Sequence, residues 1–196
     1  MTQQNTNLKP QDKQQPLDSK PATYCDYVAN LPADNVHRIY HDTQYGFAID
    51  DDNELFGRLI LEINQAGLSW DIILKKQHNF AKAYDNFDIA TVAAYDEAER
   101  ERLLSDAGII RNKLKVNAAI YNAQQILKLQ AEHGSFKAWL DANHPMEHKA
   151  WVKLFKKTFK FTGGEITKEF LMSTGYLPGA HVEGCPIYDK LRHQKL

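Results

Sequence analysis

From Asn53 to Ala66 the chain reads N-E-L-F-G-R-L-I-L-E-I-N-Q-A, and Leu55, Phe56, Leu59, Ile60 and Ile63 fall at the three-and-four spacing of one helical face. Helical patterning continues almost throughout the chain that follows, alternating strand patterns are absent, and no internal repeat is apparent. This periodicity predicts an all-α fold. Asp51 or Asp52 is placed to cap the first long helix, and Gly67 suits the left-handed residue after its end. Further helices are expected over Asp71–Tyr84, Asp88–Tyr95, Asp96–Leu104, Lys113–Glu132, Ser135–Asp141 and Glu165–Thr174.

A chain of 196 residues is long enough for one domain with a substantial core. Residues 1–21, Gln-rich and broken by Pro10, Pro16 and Pro21, read as a disordered tail, with a helical domain over 22–188 and a short tail over 189–196. No apolar run approaches the ~18 residues of a membrane span, and the first residues carry no apolar leader core, so the expected compartment is the cytoplasm. A net charge of −1 decides nothing about nucleic acid, because local patches do that. The two cysteines, Cys25 and Cys185, lie near opposite ends. In a reducing compartment a disulfide between them is disfavoured, which leaves metal ligation or two unrelated buried thiols.

Glu62 falls at the border of the apolar face, beside Leu55 and Ala66. One reading is a carboxylate leaning out to solvent. The other follows from Gln65-Ala66-Gly67-Leu68-Ser69-Trp70, which ends one helix and starts the next within a few residues. Glu62 and Trp70 then converge on one pocket, where an indole and a carboxylate suit a flat cationic ring.

Between Leu104 and Lys113 a single glycine, Gly108, joins two helical patterns and is followed by Ile109 and Ile110. Such a turn can aim backbone N–H groups at a phosphate, with Arg111, Lys113 and Lys115 as nearby cations; it is equally an ordinary connection between helices. Lys153 to Phe161, K-L-F-K-K-T-F-K-F, is either a second basic patch or an amphipathic core segment with lysines reaching outward.

Taken together these stretches resemble DNA-3-methyladenine glycosylase I, of the helix-hairpin-helix DNA glycosylase superfamily. The matching pieces are Cys25, Y-H-D at Tyr40–Asp42 with Gly46, L-E-x-x-Q-A-G-L-S-W at Leu61–Trp70, and L-K-K at Leu74–Lys76. They continue with Phe87-Asp88, D-A-G-I-I-R at Asp106–Arg111, F-K-F-x-G at Phe159–Gly163 and H-V-x-G-C at His181–Cys185.

The resemblance implies a structural zinc on Cys25, His41, His181 and Cys185, and a base pocket in which Glu62 recognises the base beside Tyr40, Trp70, Tyr27 and Tyr45. It implies DNA-backbone contact through Gly108, Ile109, Arg111 and Lys113, with alkylated double-stranded DNA as the partner and no redox cofactor. Other histidines, His37 and His193 among them, are read as surface residues. The expected activity is hydrolytic excision of 3-methyladenine. Lys113–Glu132 carries no Asp, consistent with a family that lacks the superfamily's catalytic aspartate. The chain departs from the family pattern at Tyr27 and Tyr45, where tryptophan is usual, and at Ile63, where glycine is frequent. Two other readings remain: a bifunctional glycosylase/lyase using Lys113, and a non-catalytic zinc-stabilised DNA-binding module.

Overall fold

The computed structural model describes residues 21–192. The expected N-terminal tail, Pro21 apart, and His193 lie outside them. Among the described residues the regular structure is helical, with no strand. In chain order the helices are α1 (Tyr24–Ala29), α2 (Val36–Thr43), α3 (Asp52–Gln65), α4 (Trp70–Ala83), α5 (Ile89–Ala93) and α6 (Glu97–Ser105). They continue with α7 (Lys113–His133), α8 (Phe136–Asn143), α9 (His148–Thr158), α10 (Gly164–Ser173) and α11 (Pro186–Leu191).

The centre of the fold is α3. The apolar period marks one face, yet every residue from Leu55 to Asn64 is buried, because α4, α5, α7, α8 and α10 surround the helix. A Cβ added to Gly57 would meet the Phe87 ring at 2.6 Å, so the glycine sets how closely that aromatic approaches. Arg58, Glu62 and Asn64 are polar residues that this enclosure forces inside. The two candidate caps divide their work. Asp51 accepts the Glu54 N–H at 2.9 Å and starts α3, whereas Asp52 accepts the Phe136 and Lys137 N–H groups at 2.7 and 2.9 Å and anchors α8. Gly67 has φ +81, the left-handed backbone expected after α3.

Four helices arise outside the expected spans. α1 and α11 have six residues each, too few to display a periodic face. α1 is instead set by a capping box, Thr23 with Asp26. α2 is capped by Asn35, and α9 buries Trp151 and Phe155 while Lys153, Lys156 and Lys157 face outward. The basic stretch is thus an amphipathic core segment. The expected boundary at 188 falls inside α11.

Candidate functional site: an aromatic and acidic cavity beside a Cys/His cluster

A cavity of about 510 Å³ opens where α1, α2, α3, α4 and α10 meet, lined by Tyr24, Tyr40, Tyr45, Glu62, Gln65, Trp70, Glu165 and Glu169. Its size falls in the usual range for a small-molecule site. Tyr40 and Trp70 meet edge to face with centroids 5.2 Å apart, and Tyr45 lies 5.6 Å from Tyr40. The tight turn after α3 makes this possible: Gln65 Nε2 donates to the Leu68 carbonyl at 3.0 Å, and Trp70 opens α4 directly opposite the end of α3. Of the expected pocket residues, the structure therefore brings together Tyr40, Tyr45, Glu62 and Trp70.

Tyr27 is not in the cavity lining. It is 41% exposed and stacks on Tyr24 with centroids 6.1 Å apart, three residues along the same helix face. Tyr24 takes the lining position. The His37 reading is also corrected. His37 is buried, with Tyr27 and Tyr24 edge-on to its ring and Asp71 3.5 Å from Nε2.

Glu62 is 4% exposed, which removes the solvent-facing reading. Burial pushes its carboxyl up to about 8; Arg58, one turn earlier, pulls downward and Glu169 adds to the rise. Arg58 itself is spent on the scaffold. Its guanidinium donates to the Ser173 carbonyl at 3.0 Å and lies 5.2 Å over the Tyr40 ring, fixing that tyrosine. Burial also keeps the Tyr40 and Tyr45 hydroxyls protonated. The cavity thus offers flat apolar faces, neutral hydroxyls and a carboxyl that lacks a full counter-charge. A cationic ring supplies what is missing.

Behind the tyrosines, Cys25, His41, His181 and Cys185 place four donor atoms within 4.8 Å of one another. His41 Nε2 is 3.3 Å from Cys25 Sγ, 3.6 Å from Cys185 Sγ and 3.1 Å from His181 Nδ1. The outer ring nitrogens are both engaged: His41 Nδ1 donates to Asp42 at 2.7 Å, and His181 Nε2 donates to the Tyr45 carbonyl at 2.7 Å. That assignment leaves two imidazole lone pairs facing each other across 3.1 Å, an arrangement that a proton or a metal ion between them relieves. Burial lowers the His181 pKa and raises that of the Cys25 thiol, so the imidazole is held in the neutral form that can ligate. The four residues can hold a metal ion. Both thiols are free of any disulfide.

A match to the methyladenine glycosylase family runs over residues 30–151. DNA-3-methyladenine glycosylase 1 of Escherichia coli (strain K12) is 35% identical over 183 residues, covering 84% of this chain and 96% of the relative. The chain belongs to the methyladenine glycosylase family. A crystal structure of 3-methyladenine DNA glycosylase I superposes with a TM-score of 0.72 at 32% identity, covering 80% of this chain and 96% of that one. The Staphylococcus aureus 3-methyladenine DNA glycosylase I, solved for the basis of 3-methyladenine recognition, gives 0.71 at 29% identity over 79% and 92%.

In this glycosylase-family chain the loop between α6 and α7 is largely self-satisfied. The Gly108 N–H donates to Asp106 Oδ1 at 2.7 Å, its carbonyl accepts Lys76 Nζ at 3.0 Å, and Ile109 is buried. Asn112 caps α7 by accepting the Leu114 and Lys115 N–H groups. Arg111 and Lys113 are exposed. Lys115 is not an available cation: it is buried, and its Nζ donates to the Asn64 and Ala66 carbonyls at 2.8 and 2.7 Å. Lys113 lines a separate cleft with Arg100 and Lys160, away from Glu62.

Sequence reasoning missed Tyr24, Gln65, Arg58, Glu165 and Glu169. The signals were present for three of them. The Thr23–Asp26 capping box places Tyr24 at the first turn of a helix, and Glu165 and Glu169 are four apart on one face of α10.

Proposed function

We propose that this chain is a monofunctional DNA N-glycosylase that excises 3-methyladenine from alkylated double-stranded DNA in base-excision repair. Family membership supports the activity class, and the named relatives act on or recognise that base. The observation that carries the reading to this chain is Glu62, enclosed in a cavity walled by Tyr40, Tyr45 and Trp70.

The chemistry asks little of the protein. An N3-methylated adenine nucleotide is already cationic, so its glycosidic bond is weakened without an acid. The nucleotide leaves the stack and enters the cavity, where the aromatic rings hold the base faces. Glu62 accepts a hydrogen bond from the base edge and stabilises its charge. The C1′–N9 bond breaks with its electron pair passing to N9, which leaves a neutral base; water adds to C1′ and its proton goes to solvent.

The grip on DNA is assigned to the α6–α7 helix-hairpin-helix, with Arg111 and Lys113 meeting phosphates and the backbone around Gly108 and Ile109 shaping the approach. Such contacts are independent of sequence. Lys113 as a lyase nucleophile gains no support, because it stands in a different cleft from Glu62.

The metal of the Cys/His cluster is zinc in this reading. Zinc–sulfur bonds of ~2.3 Å and zinc–nitrogen bonds of ~2.0–2.1 Å make a tetrahedron with edges of about 3.3–3.8 Å. The five separations that involve a histidine nitrogen, 3.1 to 3.7 Å, match that frame. With four protein donors the site is structural, and it ties α1 and α2 to the segment before α11. A cytoplasmic location agrees with thiols kept reduced for ligation.

Methylated duplex DNA incubated with the protein should release free 3-methyladenine, read by chromatography. DNA binding without release would assign the chain to the non-catalytic alternative.

A further inference from the structure

The base cavity contains a second acidic side chain that the excision chemistry above leaves unused. Glu169 lies on α10, across the cavity from α3, and is half-buried. The Tyr45 hydroxyl donates to its Oε2 at 3.4 Å, so its orientation is coupled to a ring that lines the same space. Glu165, one turn earlier and exposed, adds a carboxylate at the rim. Among the described residues the only basic group buried beside this wall is Arg58, which already serves Ser173 and Tyr40.

We propose that Glu169 is a second base-recognising carboxylate: with Glu62 it makes the cavity select purines bearing a full positive charge, and the pair gives up one proton to solvent when such a base binds. The inference rests on the proposed glycosylase reading and deepens it to a charge class of substrate.

Two carboxyls facing one cavity cannot both ionise cheaply, because each negative charge opposes the other. Burial raises both groups, and a neighbouring carboxylate adds to each rise: Glu169 at Glu62, and Glu165 at Glu169. The charged and titratable neighbours are few. On α3 they are Arg58 and Glu62, on α10 Glu165 and Lys168, and around the remaining walls Tyr24, Tyr40 and Tyr45. Lys168 and the Tyr45 hydroxyl favour ionised Glu169, while Glu165 opposes it. In the resting cavity the pair therefore presents one carboxylate, an acceptor, and one carboxylic acid, a donor. A fixed-cation purine takes the place of the proton: the O–H bond breaks, the electron pair stays on the carboxylate, and the proton leaves to solvent. A neutral purine offers no such compensation and is held by stacking and hydrogen bonds that leave the proton in place.

The test compares wild type with Glu169→Gln, which keeps shape and removes one ionisation. The probes are 3,9-dimethyladeninium, a fixed cation, and neutral 9-methyladenine, titrated by tryptophan fluorescence from about pH 5.5 to about pH 9. For wild type the cation should bind more tightly as pH rises, and the neutral probe should not respond. Glu169→Gln should bind the cation about tenfold more weakly near pH 9, a loss typical of one charge-assisted contact. Its acid limb should move to lower pH, because Glu62 then titrates without a charged neighbour. Neutral-probe affinity should stay within about twofold.

Glu169→Ala, with a melting-temperature check, should displace the acid limb in the same direction and so separates charge from packing. A wild-type profile in both variants would overturn the role of Glu169. That outcome is distinct from failure of the glycosylase reading, in which wild type releases no 3-methyladenine.

Discussion

Lys115 donates from Nζ to the Ala66 carbonyl at 2.7 Å, joining the first turn of α7 to the last turn of α3 directly before the Gly67 turn. With Asn64 as a second acceptor, the ammonium neutralises the partial negative charge at the end of a buried helix. Phe161 lies 6.0 Å from the same ammonium. A residue that reads in sequence as one of three DNA-facing cations is thus a clamp that fixes where Trp70 begins α4. Burial lowers its pKa, in keeping with that enclosed position. Lys115→Met should destabilise the protein by about 1–3 kcal/mol through the unpaired carbonyls. It should leave the salt dependence of DNA binding unchanged. A flattened salt slope with normal melting would reverse the assignment.

Arg111 and Lys113 should behave in the opposite way. Each is exposed at the α6–α7 loop, so Arg111→Ala and Lys113→Ala should each weaken binding to all DNA sequences about equally. Each should also flatten the slope of log affinity against log salt by roughly one. Melting temperature should not move. Salt titrations with damaged and undamaged duplexes check this, and unchanged slopes in both variants would remove the loop from the DNA interface.

The Cys/His cluster predicts about one zinc per chain. Because the unfolded chain holds no preformed site, zinc binding adds to folding stability. Chelation or Cys185→Ser should lower the melting temperature, and added zinc should restore only the chelated wild type. Elemental analysis of protein purified without chelator would contradict the assignment if it found no zinc.

How much of this was legible in the sequence depends on what each residue responds to. The period through Leu55, Phe56, Leu59, Ile60 and Ile63 identified α3, and the capping and left-handed positions at Asp51 and Gly67 fixed its ends. That α3 is enclosed on every side was not legible, because encirclement is a property of five other helices. The burial of Arg58 and Glu62 follows from it. The Cys25, His41, His181 and Cys185 cluster, Tyr40, Tyr45 and Trp70 were legible through motif resemblance, since they sit in fixed local strings. Tyr24 and Tyr27 were exchanged because both flank Cys25 in one short helix, and only its packing against α2 decides which ring faces inward. Glu169 has no motif around it. Its meaning arises from the approach of α10 to α3.

Glu62 also leaves a signature in stability. Its carboxyl, ordinarily near 4.5, is pushed up to about 8 by burial in the folded chain. A raised folded value means the neutral form is favoured: the contribution is fully present below about pH 4.5 and is lost as pH rises through about 8. Glu62→Gln has no charge to bury. It should melt above wild type, by a margin that widens between about pH 5 and about pH 9 toward something on the order of 4 kcal/mol. A constant margin across that range would mean that Glu62 is not held neutral.

The central claim, that Glu62 recognises the cationic base, is tested most directly by single-turnover release of 3-methyladenine from methylated duplex DNA by wild type and Glu62→Gln. Loss of a charge-assisted hydrogen bond, typically ~1.5–3 kcal/mol, predicts release slower by roughly 10- to 150-fold. Affinity for undamaged DNA, measured alongside, should stay within about twofold because phosphates dominate it. Near-normal release by the folded Glu62→Gln chain would contradict the account and assign base recognition to another residue.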